Sequence, residues 1–197
     1  MIEEGRAGYI KIYQRSCQEA RELQEWLQEQ SEAVLETAEL CAVALKQGNR
    51  ILLCGNGGSA ADAQHLATEL VVRLSGDFDR PALPAMALTV DSSTLTATAN
   101  DFGYDQVFAR QVEAHGRPGD VLLAISTSGN SANVIEAVQT AHRRNLEVVL
   151  LLGNDGGQLR EAGHCLIVPS QDTNRIQEIH ITLGHLLVKI VERILYG

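Results

Sequence analysis

Residues 50–73 read RILLCGNGGSAADAQHLATELVVR, and this stretch decides the fold. Its apolar run at 51–54 predicts a short buried strand, and the glycine-rich segment 55–59 predicts a turn. The residues from Ala60 onward predict a helix. A strand, a tight turn and a helix in direct succession indicate an α/β protein.

The predicted helix has two chemically different faces. At 100° per residue, Asp62, His65 and Glu69 cluster on one of them. The opposite face is apolar and is formed by Ala63, Leu66, Ala67, Leu70 and Val71. We expect the apolar face to pack against the domain and the polar face to carry groups capable of chemistry.

Composition limits the classes of function. The chain has 197 residues, of which 45% are hydrophobic and 21% charged, enough for one domain with a substantial core. A formal net charge of -9 argues against a nucleic-acid or anionic-membrane surface, because these partners require clustered lysine and arginine. No apolar run approaches the roughly 20 residues of a membrane span. With no secretory pattern at the N-terminus, a cytoplasmic location is expected.

The cysteines are widely spaced and form no CxxC pair. Each lies in an apolar helix or strand pattern, which predicts small buried thiols rather than disulfides or zinc ligands. They are Cys17, Cys41, Cys54 and Cys165.

Two helices are expected before the first strand, over residues 7–30 and 31–48. They make residues 1–48 an N-terminal helical extension, followed by an α/β core with a C-terminal helix over 49–197, all in one domain. The first helix carries an apolar stripe, which we interpret as a packing surface within the chain or between subunits. The stripe consists of Ile10, Tyr13, Cys17 and Ala20.

Strands and helices alternate through the rest of the chain. Further strands are expected at 85–89, 121–125, 148–152 and 165–168. Helices are expected after Asp91 and over 105–115, 132–144 and 174–196, with a polar turn at 100–103. This alternation predicts parallel β-α-β units with right-handed crossovers, and hence a three-layer α/β/α sandwich. Ligands of such sheets bind at the carboxyl ends of the strands.

The loop at 126–131, STSGNS, is a candidate phosphate site. Its hydroxyl groups and the free amides of a helix N-terminus form an anion cradle that needs no lysine, so an acidic protein can bind phosphate there. The hydroxyls belong to Ser126, Thr127, Ser128 and Ser131. The alternative is an ordinary turn in which Ser131 only caps its helix. The density of hydroxyls favours phosphate binding.

The glycine-rich turn carries less information. Its spacing, Gly55, Gly57 and Gly58, does not fit GxGxxG, and the turn lacks the lysine of a P-loop. A dinucleotide site is therefore disfavoured. A tight turn after a strand and a close backbone approach to a ligand both stay open as interpretations.

His65 and Glu69 have the spacing of two ligands of one divalent metal, because they stand four residues apart on one helix face. Alone, such a pair more often marks a solvated helix face. Asp62, one turn earlier, could orient His65 as a carboxylate behind the metal ligand.

The last predicted helix is apolar on two sides, which predicts burial between the domain and a partner subunit. His180 lies beside the main apolar stripe and is expected to be a core histidine. His185 lies on the opposite side, near Gln177 in angle but about 12 Å away along the axis. To reach one metal, these two side chains would have to extend fully or come from different subunits.

Several sequence blocks together resemble one family. In chain order they are CGNGGSAADAQH at 54–65, Glu69, NDFGY at 100–104, GDVLLAISTSGNSANVI at 119–135 and RIQEIHITLGH at 175–185. On these blocks the chain is identified as a member of the phosphoheptose isomerases, the sedoheptulose 7-phosphate isomerases of the sugar-isomerase (SIS) fold family.

The resemblance implies a flavodoxin-like five-stranded parallel sheet and a cytosolic homotetramer with active sites at subunit interfaces and one zinc ion in each. It also implies conversion of sedoheptulose 7-phosphate to D-glycero-D-manno-heptose 7-phosphate, the first step of bacterial heptose synthesis for lipopolysaccharide or related glycans. Proton transfer would pass through an enediol-type intermediate at the zinc site.

Functional residues follow from the same resemblance. His65, Glu69, Gln177 and His185 match the family's metal ligands, and Glu69 and His185 match its acid/base pair. Its substrate contacts are matched by Asn56, Gly57, Gly58, His65, Glu69, Asn100, Asp101, Ser126, Thr127, Ser128, Ser131 and Gln177. Where some members carry an acidic residue, this chain has Asn174.

Two other functions are alternatives. A close relative of these isomerases is a non-catalytic adaptor for the bacterial replication initiator, in which parts of the metal and acid/base set are replaced. The complete set in this chain favours the enzyme. An arabinose 5-phosphate isomerase usually carries extra regulatory domains, for which this chain has no room.

Overall fold

The computed structural model describes residues 2–197, with side chains from Gly5 onward. The elements in chain order are α1 (Ile2–Glu29), α2 (Ser31–Lys46), β1 (Ile51–Gly55), α3 (Gly58–Val71), β2 (Ala85–Ala87), α4 (Ser92–Phe102), α5 (Ala109–His115), β3 (Val121–Ser126), α6 (Ala132–Arg143), β4 (Glu147–Gly153), β5 (His164–Val168) and α7 (Thr173–Tyr196). Single 3₁₀ turns occur at Tyr104–Gln106 and Gly157–Leu159.

The strands form one parallel sheet in the order β2-β1-β3-β4-β5, which confirms the predicted fold class. The chain adds β2 on one side of β1 and places β3, β4 and β5 on the other. β1 and β3 therefore flank the switch point of the sheet, where a ligand crevice opens at the carboxyl ends. Gly55 is paired with Ile125, so the loops that follow β1 and β3 leave the sheet side by side.

Alternate strand residues enter two hydrophobic cores. Ile51 and Leu53 belong to the core formed with α1, α2, α3 and α7, whereas Leu52 and Cys54 belong to the core formed with α5 and α6. Because side chains alternate along a strand, a fully apolar strand is buried on both faces of the sheet. This burial accounts for the three layers.

α3 and α7 lie unusually close together. A Cβ atom added to Gly184 would lie 2.5 Å from Cδ1 of Leu66, so only glycine permits the observed contact. In the two helices that carry the candidate site residues, the Leu66 side chain of α3 therefore packs directly on the α7 backbone at Gly184.

Some predicted boundaries are wrong. The expected polar turn at 100–103 is mostly helical, because Asp91 caps α4 through the amides of Ser93 and Thr94, and the helix ends only where Gly103 adopts a φ of 89°. The expected helix at 105–115 is divided into the 3₁₀ turn and α5. Strand β2 is shorter than expected, although Leu88 still donates its amide to Leu53.

Three expected burials also differ. Val71, the last residue of α3, is 43% exposed. Cys17 is exposed and Cys165 is only half-buried, whereas Cys41 and Cys54 are buried as predicted. Burial raises the pKa of each of these two thiols to about 12. Among residues 2–197, no helix is long and apolar enough to cross a membrane.

Candidate active site

His65 of α3 and His185 of α7 meet within one chain. Their Nε2 atoms are 2.8 Å apart, and the rings are nearly perpendicular, at 77°. Glu69 places Oε1 3.5 Å from Nε2 of His65. Because a hydrogen bond needs one donor and one acceptor, at least one of the two imidazoles presents a lone pair to the other.

Gln177 lies near the start of α7, beside the first turn of α3. A Cβ atom on Gly58 would be 2.5 Å from Nε2 of Gln177, so the glutamine side chain rests on the first turn of α3. At 1.5 Å per residue, this level is about 10 Å from that of His65. The structure brings together His65, Glu69 and His185 and leaves Gln177 two turns away in the same chain.

The three grouped residues offer donors that suit a metal ion. Two imidazole nitrogens and a carboxylate oxygen form a common zinc set with an open position. The Nε2 atoms are closer than the roughly 3.4 Å between two ligands of a tetrahedral zinc site with Zn–N bonds of about 2.05 Å. Across residues 2–197, no group of three or more His, Cys, Asp or Glu side chains is arranged as a metal cluster. The donor types fit zinc, while the spacing is that of a hydrogen-bonded pair.

Asp62 lies behind the histidines. Burial raises the pKa of its carboxyl group, and the nearby His65 and His185 act in the opposite direction. Its Oδ2 is buried without a hydrogen-bond partner, so the predicted orienting bond to His65 is not formed from this atom.

The loop after β3 has the features of an anion cradle. The hydroxyls of Ser126 and Ser131 are 3.3 Å apart, and the Gly129 amide donates to Ser126 at 3.2 Å. Ser131 occupies the N-cap position of α6, but its side chain makes no capping hydrogen bond, and the first turn contains no acidic residue. The interpretation of Ser131 as a simple cap is therefore wrong. The positive end of α6 is available to an anion.

The cradle is held from behind by the loop after β4. Gly129 has a φ of 64°, and a Cβ atom there would lie 1.9 Å from the carbonyl oxygen of Gly156. Asn130 accepts a hydrogen bond from the Gln158 amide at 3.1 Å and donates to the Ser128 carbonyl at 2.9 Å. These contacts give the cradle one backbone conformation.

Asn56 is fixed by two residues that sequence reasoning missed. Its side-chain amide exchanges two hydrogen bonds of 2.8 Å with that of Asn133, which is buried in the first turn of α6. The Tyr104 hydroxyl donates to Asn56 at 3.2 Å. Tyr104 lies in the block NDFGY and Asn133 in the block STSGNSANVI. Their positions in these family blocks could have indicated that they belong to the site.

Asn100 and Asp101 are exposed at the end of α4. The Asn100 amide donates to Asp101 at 2.7 Å. In the described chain no hydrogen bond connects either residue to the cradle or to the histidine pair. A cavity of about 530 Å³ borders Ser128 and Asn130 and does not include His65 or His185. In the single chain the His65 side chain is 46% exposed and His185 is half-buried.

His180 is a core residue, as predicted. It is fully buried, and its Nε2 donates to the Leu152 carbonyl at 2.9 Å, while Nδ1 has no partner. Burial lowers its pKa to about 4. The imidazole is therefore neutral at physiological pH and supports the sheet.

Comparisons with known proteins agree with this architecture. The sequence profile of the SIS domain matches residues 15–153. The phosphoheptose isomerase of Akkermansia muciniphila is 54% identical over 163 residues, which cover 82% of this chain and 85% of that protein. The solved phosphoheptose isomerase of Neisseria gonorrhoeae has a TM-score of 0.80 and 45% identity, covering 98% of this chain and 100% of that one. The solved phosphoheptose isomerase of Francisella tularensis has a TM-score of 0.84 and 36% identity, covering 95% of this chain and 98% of that one.

The chain therefore belongs to the SIS domain family and, within it, to the phosphoheptose isomerases. Membership in this family makes it an enzyme of the isomerase class and confirms the resemblance carried by its sequence blocks.

Proposed function

We propose that this protein converts sedoheptulose 7-phosphate to D-glycero-D-manno-heptose 7-phosphate, the first step of bacterial heptose synthesis. The observation that carries the proposal is the presence in one chain of an uncapped hydroxyl cradle and of the His65–His185 pair beside Glu69. The names of the relatives from A. muciniphila and N. gonorrhoeae support a phosphorylated heptose as substrate.

The loop 126–131 would bind the phosphate group. Hydroxyls and helix amides provide neutral donors, so the phosphate can be held although the whole chain carries a net charge of -9. Asn56, with Gly57 and Gly58, would contact the sugar next to the cradle. Asn100 and Asp101 would contact it from the end of α4.

Glu69 and His185 would move the protons. Interconversion of an aldose and a ketose needs a base that transfers a proton between C1 and C2, and a second group that exchanges protons with the substrate oxygens. Glu69 would do the first and His185 the second, through an enediol-type intermediate. The half-buried position of Glu69, 3.5 Å from the ring of His65, supports this assignment because its carboxylate is not tightly hydrogen-bonded there.

His65, Glu69 and His185 would also hold a zinc ion, with Gln177 as a fourth ligand. When bound, zinc would supply polarisation of the substrate carbonyl. The donor types support this proposal. The distance of Gln177 along the helix means that a conformational change or a second subunit has to bring its amide to the other three.

A homo-oligomer, and specifically a tetramer, is part of the proposal. The first half of α1 exposes four large apolar side chains, more than a monomer normally presents on one helix. They are Tyr9, Ile10, Ile12 and Tyr13. The net negative charge supports the absence of nucleic-acid and membrane partners, and the use of a phosphorylated metabolite supports a cytoplasmic location.

The proposal is tested by an isomerisation assay of the full chain with sedoheptulose 7-phosphate. Glu69→Gln is expected to lower kcat by at least about 100-fold, because an amide cannot act as the base. Glu113→Gln, an exposed carboxylate paired with Arg110 on α5, is the matched control and should retain the wild-type rate. Near-normal turnover by Glu69→Gln would contradict the assignment.

A chelator followed by zinc tests the metal in the same assay. Activity should disappear with the chelator and return with zinc. Activity that is indifferent to both treatments would remove the metal role from all four ligands.

A further inference from the structure

Arg80 is a buried arginine beneath the end of α3, and its side chain has no exposed surface. Its Nε and Nη2 lie 2.9 and 2.8 Å from Oε1 of Glu192. Nη1 donates to the carbonyls of Leu70 at 2.6 Å and Pro81 at 3.0 Å, and Nη2 donates to the carbonyl of Glu69 at 2.7 Å. The five N–H groups of the guanidinium thus meet five acceptor contacts.

Two of these acceptors are carbonyls that the helix itself leaves free. α3 ends at Val71, so the carbonyls of Glu69 and Leu70 lie among the last four of the helix, which lack a partner within it. A positive charge at this end also complements the helix dipole. Arg80 therefore closes the last turn of α3.

The same guanidinium connects both helices of the site. Glu192 lies on α7, about two turns beyond His185, and it is buried with Arg80. Removing two charges from water is costly, and a buried ion pair is weak evidence for stability. The Arg80–Glu192 pair contacts the backbone of Glu69 and belongs in part to the helix of His185. Its burial is therefore better explained by control of the site geometry.

We propose that Arg80 is a positioning residue for the isomerisation: its bonds to the Glu69 and Leu70 carbonyls and to Glu192 hold the last turn of α3, and with it the Glu69 carboxylate, in place beside His65. This inference rests on the proposed role of Glu69. Helix ends fray readily, and Glu69 stands in the final turn. Displacement of a reacting group by about 1 Å can lower a rate by as much as 100-fold.

Arg80→Lys tests the proposal, because lysine keeps the charge but its three N–H donors cannot make all five contacts. We expect kcat to fall at least about tenfold while KM changes less than about twofold, since the phosphate cradle is untouched. Hydrogen exchange should accelerate at the amides of residues 70–74. Glu192→Gln keeps one acceptor oxygen without the charge and should show the same pattern more weakly. It also serves as the test if Arg80→Lys does not fold.

Asp120→Asn is the matched control. Asp120 is equally buried and accepts hydrogen bonds of 2.9 Å from the amides of Arg50 and Arg117, but at the amino edge of the sheet. This variant should lower the melting temperature and leave kcat of the folded protein unchanged.

The proposal is overturned if Arg80→Lys keeps the wild-type kcat, if Asp120→Asn loses kcat to the same extent, or if exchange at 70–74 is unaltered. Failure of the wild-type chain to isomerise sedoheptulose 7-phosphate would instead refute the proposed function. In that case the hydrogen exchange of Arg80→Lys at residues 70–74 decides on its own whether Arg80 holds the last turn of α3.

Discussion

Asn56 and Asn133 exchange two hydrogen bonds of 2.8 Å, amide to amide, across the switch point of the sheet. One side chain follows β1 and the other opens α6, so the pair connects the glycine-rich turn to the hydroxyl cradle. Asn133 is 3% exposed, which leaves its amide no water as a replacement partner.

Replacing Asn133 by alanine should impair substrate binding. The half-buried Asn56 amide would lose both bonds and keep only the one from Tyr104, and leaving a polar group unsatisfied on burial costs up to about 1–3 kcal/mol. We expect KM for the sugar phosphate to rise about five- to tenfold, measured by steady-state kinetics. Tyr104→Phe removes only the 3.2 Å bond from an exposed hydroxyl and should have a smaller effect. A larger effect of Tyr104→Phe would contradict this ranking.

Removing the Ser126 and Ser131 hydroxyls together should abolish phosphate binding at the cradle. Inorganic phosphate is expected to raise the melting temperature of the wild-type protein, because a ligand that binds only the folded state stabilises it. The double variant Ser126→Ala/Ser131→Ala should lose this shift. Ser93→Ala, on the exposed start of α4, should keep it. Equal stabilisation of all three proteins would place phosphate elsewhere.

Gly58→Ala should displace Gln177 at little cost in stability. The added Cβ would lie 2.5 Å from the end of a flexible side chain, and alanine favours helix over glycine by about 1 kcal/mol. We expect kcat/KM to fall without a fall in melting temperature. Gly8→Ala on α1 has open space around it and serves as the control, with unchanged activity. If Gly58→Ala keeps the wild-type kcat/KM, Gln177 is not part of the active site.

His180 should make the protein less stable in mild acid. Its pKa is lowered from 6.5 to about 4 in the folded state, so the unfolded chain binds more protons between these values. The free energy of unfolding therefore decreases as the pH falls through this window, by about 2 kcal/mol between pH 7.5 and pH 5.

Urea denaturation of wild type and His180→Gln at the two pH values measures this effect. Glutamine can still donate to the Leu152 carbonyl but does not titrate, so the variant should lose about 2 kcal/mol less than wild type on acidification. An identical loss in both proteins would show that His180 is not the titrating group.

Sequence reasoning succeeded wherever local periodicity decides the outcome. The run at 51–54 forms a strand and a helix follows the glycine-rich turn, as predicted, although α3 begins at Gly58 and not at Ala60. His65 and Glu69 share one helix face because four residues make about one turn. The buried thiol of Cys54 followed from its strand pattern. The predicted burial of Val71 and Cys17 was wrong because the packing surface ends before it reaches them. Periodicity does not say where a packing surface ends.

The partners of the site residues could not be predicted in the same way. His65 meets His185 over 120 positions, and Asn56 meets Asn133 over 77. Arg80 stood in a proline-punctuated loop with no pattern that connects it to Glu192.

The sequence by itself determined which residues lie on which face of each strand and helix, and which loop carries hydroxyl groups, because backbone geometry sets these locally. The tertiary structure alone decided that the faces of α3 and α7 meet at His65 and His185. That contact depends on how closely two distant helices approach, and the approach is permitted by the missing side chain of Gly184 against Leu66. Distances between elements arise from packing, which no local pattern encodes.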